Sequence, residues 1–242
     1  MFLSIARDRL PIVGKAGLAW LFPPNCPFCG QPDCSLCPHC EKELRSAQWQ
    51  PISRQLPHLA GLIASGRHHG FLREAIRALK YGCERVVAAP LGERLWQLLQ
   101  QRGEPAGFDA IIPVPLHETR LLERGFNQAE WLASRLSERS GIPLQNDGLR
   151  RARETQSQVG LDEQQRKHNV AEAFQASDGL AGRRILLVDD VCTSGATLVA
   201  CAQVLRRTGA AAVSAITVST SLPQEMPPKR MSFNSDLDSH IM

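Results

Sequence analysis

At 242 residues, 43% of them apolar, the chain can bury a full hydrophobic core, as one large domain or as a main domain with an appendage, which excludes a disordered or fibrous protein. The formal net charge of +4, with 21% charged residues, suits phosphate ligands and is too small to single out nucleic acid. No stretch reaches the roughly 18 uninterrupted apolar residues of a spanning helix, so the expectation is a cytoplasmic chain with no membrane insertion.

Residues 1–25 carry an apolar run at 17–22, but Arg7, Asp8, Arg9 and Lys15 interrupt the segment and no small-residue cleavage site follows. A short amphipathic segment is expected there, rather than a signal peptide. Next comes CPFCGQPDCSLCPHC, which holds five of the eight cysteines. The pairs Cys26/Cys29 and Cys37/Cys40 are each CxxC, and Pro27, Gly30, Pro32 and Pro38 supply the turns that bring paired sulfurs together. In a reduced compartment such pairs read as ligands of a structural, tetrahedral zinc site. Cys34 and His39 are further ligand candidates; the outer pairs are the expected set, and an iron–sulfur cluster stays open as the alternative filling.

Beyond the cysteines the pattern alternates between strand and helix. Residues 58–69 predict a strand; Phe71, Leu72, Ala75, Ile76 and Leu79 then recur at helical spacing. The opposite stripe of that helix, Arg73, Arg77 and Lys80, reads by default as a solvated face. A second amphipathic helix is expected at about 90–101, closed by Gly103, Pro105 and Gly107. A buried strand at 110–114 must end near Pro113 and Pro115, which lack the amide a central ladder needs. Residues 115–125 then predict a loop with His117, Arg120 and Arg124, followed by a helix over 126–139 whose buried face holds Ala129, Leu132 and Leu136. Residues 149–174, rich in Arg, Gln and Glu, predict a long, mobile, basic loop.

The stretch ILLVDDVCTSGAT, residues 185–197, concentrates the chemistry. Residues 185–188 have the wholly apolar character of a parallel strand buried on both faces. Asp189 and Asp190 follow at its carboxyl end, where open α/β sheets place ligands. Thr193, Ser194, Gly195, Ala196 and Thr197 form a small turn, and Leu198, Val199, Ala202 and Leu205 begin a helix. Such a turn at a helix N-terminus is an anion cradle, while the carboxylates can accept hydrogen bonds from the hydroxyls of a ribose. A Walker-B strand is excluded, because no GxxxxGK[ST] loop is present. A receiver domain needs a longer chain after the acid pair.

These thirteen residues resemble the signature of type I phosphoribosyltransferases, which bind phosphoribosyl pyrophosphate (PRPP) with magnesium. Together with the paired cysteines, PVPLHETRLLERGFNQA, and Thr155, Gln156, Arg166 and Asn169, the chain from about 20 to 220 resembles the ComF family, associated with DNA uptake in naturally competent bacteria, with a related branch in gluconate utilisation. The resemblance implies an α/β fold, a type I phosphoribosyltransferase with a mostly parallel sheet, in a domain over 55–221. It further implies an N-terminal zinc-binding segment over 1–45, whereas residues 222–242, polar and proline-bearing, resemble no part of the family and are expected to be a disordered tail. It assigns Asp189 and Asp190, as the catalytic acids, to the ribose hydroxyls, and Thr193, Ser194, Gly195, Ala196 and Thr197 to the 5′-phosphate. Val114, Pro115, Leu116 and His117, with Arg120 and Arg124 close behind, would hold pyrophosphate. Magnesium would be held mainly by ligand oxygens and water, under a lid over 151–169. In catalytic members a nucleophile displaces pyrophosphate from the anomeric carbon; the acceptor is not legible here. The alternatives are a PRPP-sensing regulatory module without turnover and a single-stranded DNA-binding accessory factor among competence-machinery proteins.

Overall fold

The computed structural model describes residues 24–47, 49–81, 85–103, 107–151 and 173–221. In chain order these form α1 (Pro38–Ser46), β1 (Ile52–Arg54), β2 (Gly61–Ala64), α2 (Gly70–Tyr81), α3 (Ala88–Gln101), β3 (Ala110–Pro113), α4 (Glu118–Arg124), α5 (Gln128–Ser140), β4 (Leu149–Arg151), β5 (Phe174–Ala176), β6 (Arg184–Cys192), α6 (Ala196–Arg207) and β7 (Ala212–Thr220). The main sheet has the spatial order β1, β2, β7, β6, β3, with β1 antiparallel at one edge and the rest parallel. Every residue of β2 and β3 is buried, as a parallel sheet covered on both faces requires.

Two cores sandwich the sheet. On one side α2, α3 and α5 pack on Leu186, Val188, Ile216 and Val218. On the other, α6 packs on Ile185, Leu187, Val213 and Ala215. Successive strand residues point to opposite faces, so β6 feeds both cores in alternation. This is an α/β architecture with a mostly parallel sheet, and the last two strands among the described residues are neighbouring nine-residue strands in register from Arg184 opposite Ala212 to Cys192 opposite Thr220.

Several expectations change. The strand expected at 58–69 is confined to Gly61–Ala64, because His58 takes a positive φ of 65° and the chain turns before it can pair. The loop expected at 115–125 contains α4, capped by His117, whose Nδ1 accepts the Thr119 amide at 3.2 Å, and ended by Gly125 at φ 80°. None of its residues is buried, so it has no apolar stripe for periodicity to reveal. The strand expected to end at Val188 continues to Cys192, because β7 pairs alongside it to Thr220, which sets the acid pair within the strand. The two ends of the expected loop at 149–174 pair antiparallel as β4 and β5. The amphipathic segment at 1–23, the lid with Arg166 and Asn169, and the tail at 222–242 lie outside the described residues. Among those residues, no helix is long and apolar enough to cross a membrane.

Candidate phosphosugar site and cysteine cluster

Alternation along β6 divides its two acids. Asp189 follows Ile185 and Leu187 toward the face of α6, and Asp190 follows Leu186 and Val188 toward α2 and α5. Asp190 is 2% exposed. Its Oδ2 lies 2.5 Å from Lys80 Nζ, and its Oδ1 accepts from Gln128 Nε2 at 2.9 Å. Asp189 is half-buried, its Oδ1 accepts the Asp190 amide at 2.8 Å, and it has no ion-pair partner among the described residues. Burial first, and then the Asp190 charge, push the Asp189 carboxyl well above the usual carboxylate range.

The turn after β6 is held from behind. Arg54 Nη1 donates to the Thr193 carbonyl at 2.9 Å, to Cys192 Sγ at 2.9 Å and to Thr220 Oγ1 at 3.2 Å. Gly195 sits at φ 87°, in the left-handed region that suits glycine, and a Cβ there would lie 2.7 Å from Leu56 Cδ1. Its neighbours Thr193, Ser194, Ala196 and Thr197 are exposed, and Ser194 Oγ accepts the Ala196 amide at 3.3 Å. Three hydroxyls and the first turn of a twelve-residue helix thus face solvent beside Asp189, the arrangement that receives a phosphate. Cys192 is buried beneath the turn, and burial raises its thiol.

On the β3 side, Pro113 pairs opposite Val188, which brings Val114 alongside the acid pair; its carbonyl accepts from Asn127 Nδ2 at 3.1 Å. Pro115, Leu116 and His117 follow half-buried, with the His117 ring turned to cap α4. Arg124 donates to Gln128 Oε1 and lies 5.4 Å over the Tyr81 ring, so it joins the acid pair through Gln128. Arg120 instead pairs with Glu123 on the exposed surface of α4 at 3.2 Å. Sequence reasoning missed Arg54, Gln128 and Lys80 as site residues. Gln128 lies within the quoted RGFNQ. Lys80 was read with Arg73 and Arg77 as solvated; those two are exposed, and Lys80 alone turns inward. His68 joins the same edge, its Nδ1 2.9 Å from Ser219 Oγ, and burial, then Lys80, hold its imidazole below the usual value.

The second feature is N-terminal. The sulfurs of Cys26, Cys29, Cys37 and Cys40 all lie within 4.8 Å of one another, a group that can hold a metal ion such as zinc. Cys29 Sγ and Cys37 Sγ are 3.6 Å apart. Thiolates on one tetrahedral zinc stand about 3.8 Å apart, given bonds of about 2.3 Å, so the spacing fits. Cys37 also caps α1, accepting the Cys40 amide at 3.4 Å, so the second CxxC is a helix start. Burial raises Cys26, but the backbone amides of Cys37, Cys29 and Phe28 outweigh it and bring the thiol down to about 6. Burial and the neighbouring sulfurs push Cys40 up. Cys34 stays outside, donating to the Gln31 carbonyl at 3.4 Å, and His39 is exposed.

The phosphoribosyl transferase domain model matches residues 121–239. The DNA utilization protein YhgH of Escherichia coli (strain K12) is 32% identical over 187 residues, covering 75% of this chain and 82% of that one. Competence protein F of Haemophilus influenzae is 40% identical over 104 residues, 42% of this chain and 45% of that one. Competence protein ComFC of Bacillus subtilis (strain 168) is 29% identical over 200 residues, 80% of this chain and 76% of that one. A parallel sheet that delivers an acid pair and a small turn to a helix start, behind a four-cysteine segment, accompanies that similarity, and the chain belongs to the ComF family of the phosphoribosyltransferase superfamily.

Proposed function

We propose that this chain binds PRPP with magnesium at the carboxyl edge of the sheet and transfers its phosphoribosyl group. The observation that supports this most is the turn from Asp189 to α6: a carboxylate, three exposed hydroxyls and a helix N-terminus within nine residues, with Gly195 pressed under Leu56. The 5′-phosphate lies against Thr193, Ser194, Gly195, Ala196 and Thr197. The acid pair serves the sugar, and pyrophosphate lies along Val114, Pro115, Leu116 and His117, with Arg124 nearer to it than Arg120.

The donors fit magnesium only in the manner that ion prefers, through ligand oxygens and water, because Asp190 is already committed to Lys80 and Gln128. When bound, magnesium neutralises the pyrophosphate. The chain's own part is to orient the sugar and to present fixed donors to the departing charge. Zinc fills the four-cysteine cluster as a closed structural site. The protein acts in the cytoplasm, in DNA uptake, as the competence names of its relatives suggest.

Calorimetry with PRPP and magnesium, followed by a pyrophosphate-release screen over bases and amines, tests the reading. Binding with release identifies a transferase and its acceptor. Binding without release from any acceptor identifies a PRPP-sensing module, and no heat with PRPP removes the site. Retention of single-stranded DNA that PRPP does not compete away supports the accessory-factor alternative instead.

A further inference from the structure

A trans peptide is planar, and its N–H points opposite to its C=O. A cation that holds the carbonyls of a turn on one side therefore sends the amides that follow them to the other. Arg54 does this to the turn after β6. It closes β1, which lies two strands away from β6 in the sheet, and its guanidinium donates to the Thr193 carbonyl from Nη1 at 2.9 Å and to the Ser194 carbonyl from Nη2 at 3.5 Å. Nη1 also donates to Cys192 Sγ and Thr220 Oγ1, on the last residues of β6 and β7, so the fork is fixed to the sheet as well as to the turn. Leu56, two residues further on, meets Gly195 so closely that no Cβ fits there. With their carbonyl partners held by Arg54, the Ser194 and Gly195 amides point away from it, and neither finds an acceptor among the described residues. Gly195, at φ 87°, supplies the left-handed step through which consecutive amides converge on an anion.

Resting on the phosphosugar reading above, we infer that Arg54 is a positioning residue for the 5′-phosphate: it holds the turn by its carbonyls so that the Ser194 and Gly195 amides receive the phosphate. No carboxylate pairs with Arg54 among the described residues, so its charge also stands unneutralised behind the anion. Guanidinium and ligand never touch; the two peptide planes between them carry the effect. Lysine cannot take its place, because a single ammonium lacks the planar fork that spans two carbonyls, a sulfur and a hydroxyl.

The test is calorimetry on the full chain with ribose 5-phosphate and, separately, with magnesium pyrophosphate, which the same reading seats on residues 114–117. Arg54→Met should weaken ribose 5-phosphate by about tenfold or more, the worth of one hydrogen bond to a charged group, and leave pyrophosphate within about twofold. Arg54→Lys should recover little of the loss. Amide NMR reads the turn directly: ribose 5-phosphate should move the Ser194 and Gly195 amide protons downfield in the wild-type chain, and Arg54→Met should abolish those shifts. Should Arg54→Met fail to fold, Arg54→Lys carries the same comparison. An equal loss for both ligands makes Arg54 a merely structural residue and overturns the inference. So do an unchanged affinity for ribose 5-phosphate in Arg54→Met, full recovery in Arg54→Lys, or wild-type binding that leaves the two amides unmoved. If the wild-type chain binds neither ribose 5-phosphate nor PRPP, it is the phosphosugar reading that fails.

Discussion

Asp189 titrates in different surroundings in the folded and the unfolded chain. Unfolded, it ionises as an ordinary carboxyl near about 4; folded, burial and the Asp190 charge raise it well above that. Below the unfolded value both states hold the proton and the residue is neutral to stability. As pH rises from there toward the folded value, the native state keeps a proton that the unfolded chain has released, so stability falls. Asp189→Asn should therefore raise the melting temperature at pH 7, with a gain that vanishes near pH 4, because asparagine still accepts the Asp190 amide. Asp190→Asn should do the reverse at neutral pH, costing about 1–3 kcal/mol by leaving Lys80 half-buried without its counter-ion. Thermal melts of both variants at the two pH values check the pair of signs. Both acids were singled out in ILLVDDVCTSGAT, but their division was not, because ending the strand at Val188 hid the alternation that turns neighbours to opposite faces. The partners were not legible: nothing local separates Lys80 from Arg77 on the same stripe, and only the approach of β6 selects it.

At the level of elements, α1 is tied to the sheet by one buried arginine. Arg94 of α3 is fully buried, donates from Nε to Ser65 Oγ at 2.5 Å and from Nη2 to the Ser65 carbonyl at 3.2 Å, and reaches the Leu44 and Arg45 carbonyls at 3.4 and 3.3 Å. Its guanidinium also lies 4.9 Å over the Trp49 ring. The charge thus sits at the carbonyl end of α1, where a helix favours a cation, and burial lowers its pKa to about 10. Arg94→Met should destabilise the protein by about 3 kcal/mol in urea unfolding, and Arg94→Lys should recover little, because one ammonium cannot serve carbonyls on two elements at once. The helical spacing of α2, α3 and α5 was readable because each buries an apolar stripe. An arginine inside such a stripe is invisible to that reading, which assigns charge to solvent. β7 escaped for a related reason. Ser214, Thr217, Ser219 and Thr220 scatter polar residues over both faces of its sequence, yet all four are buried in the sheet, where Thr217 Oγ1 donates to the Ser219 carbonyl at 3.1 Å and Thr220 Oγ1 to the Cys192 carbonyl at 2.9 Å.

Across the whole molecule, α2 runs from one site to the other. Phe71 near its start packs on the cysteine cluster with Phe28, ring centroids 4.8 Å apart, and Lys80 at its end pairs with Asp190, nine residues or about 14 Å further along. Strand order belongs to this scale too: β2, β7, β6, β3 is not chain order, and no local pattern carries it. Metal loss should reach the first end and not the second. The cysteine segment is short and depends on its ligands for structure, and loosening it uncovers Leu44 and strips Arg94 of two carbonyls. Leu72, Ala75, Ile76 and Leu79, all buried in the larger core, still hold α2 and with it Lys80. Replacing Cys26 and Cys29 with serine, or chelating the protein, should remove about one metal ion by elemental analysis and cost about 2 kcal/mol or more through Leu44 alone. Hydrogen exchange should quicken in residues 26–46, while affinity for ribose 5-phosphate stays within about threefold of the untreated chain, because the Lys80–Asp190 ion pair draws on a helix anchored independently of the metal. A tenfold loss of affinity on chelation would instead show that α2 moves as a rigid rod, in which case the four cysteines set the geometry of a sugar site they never touch.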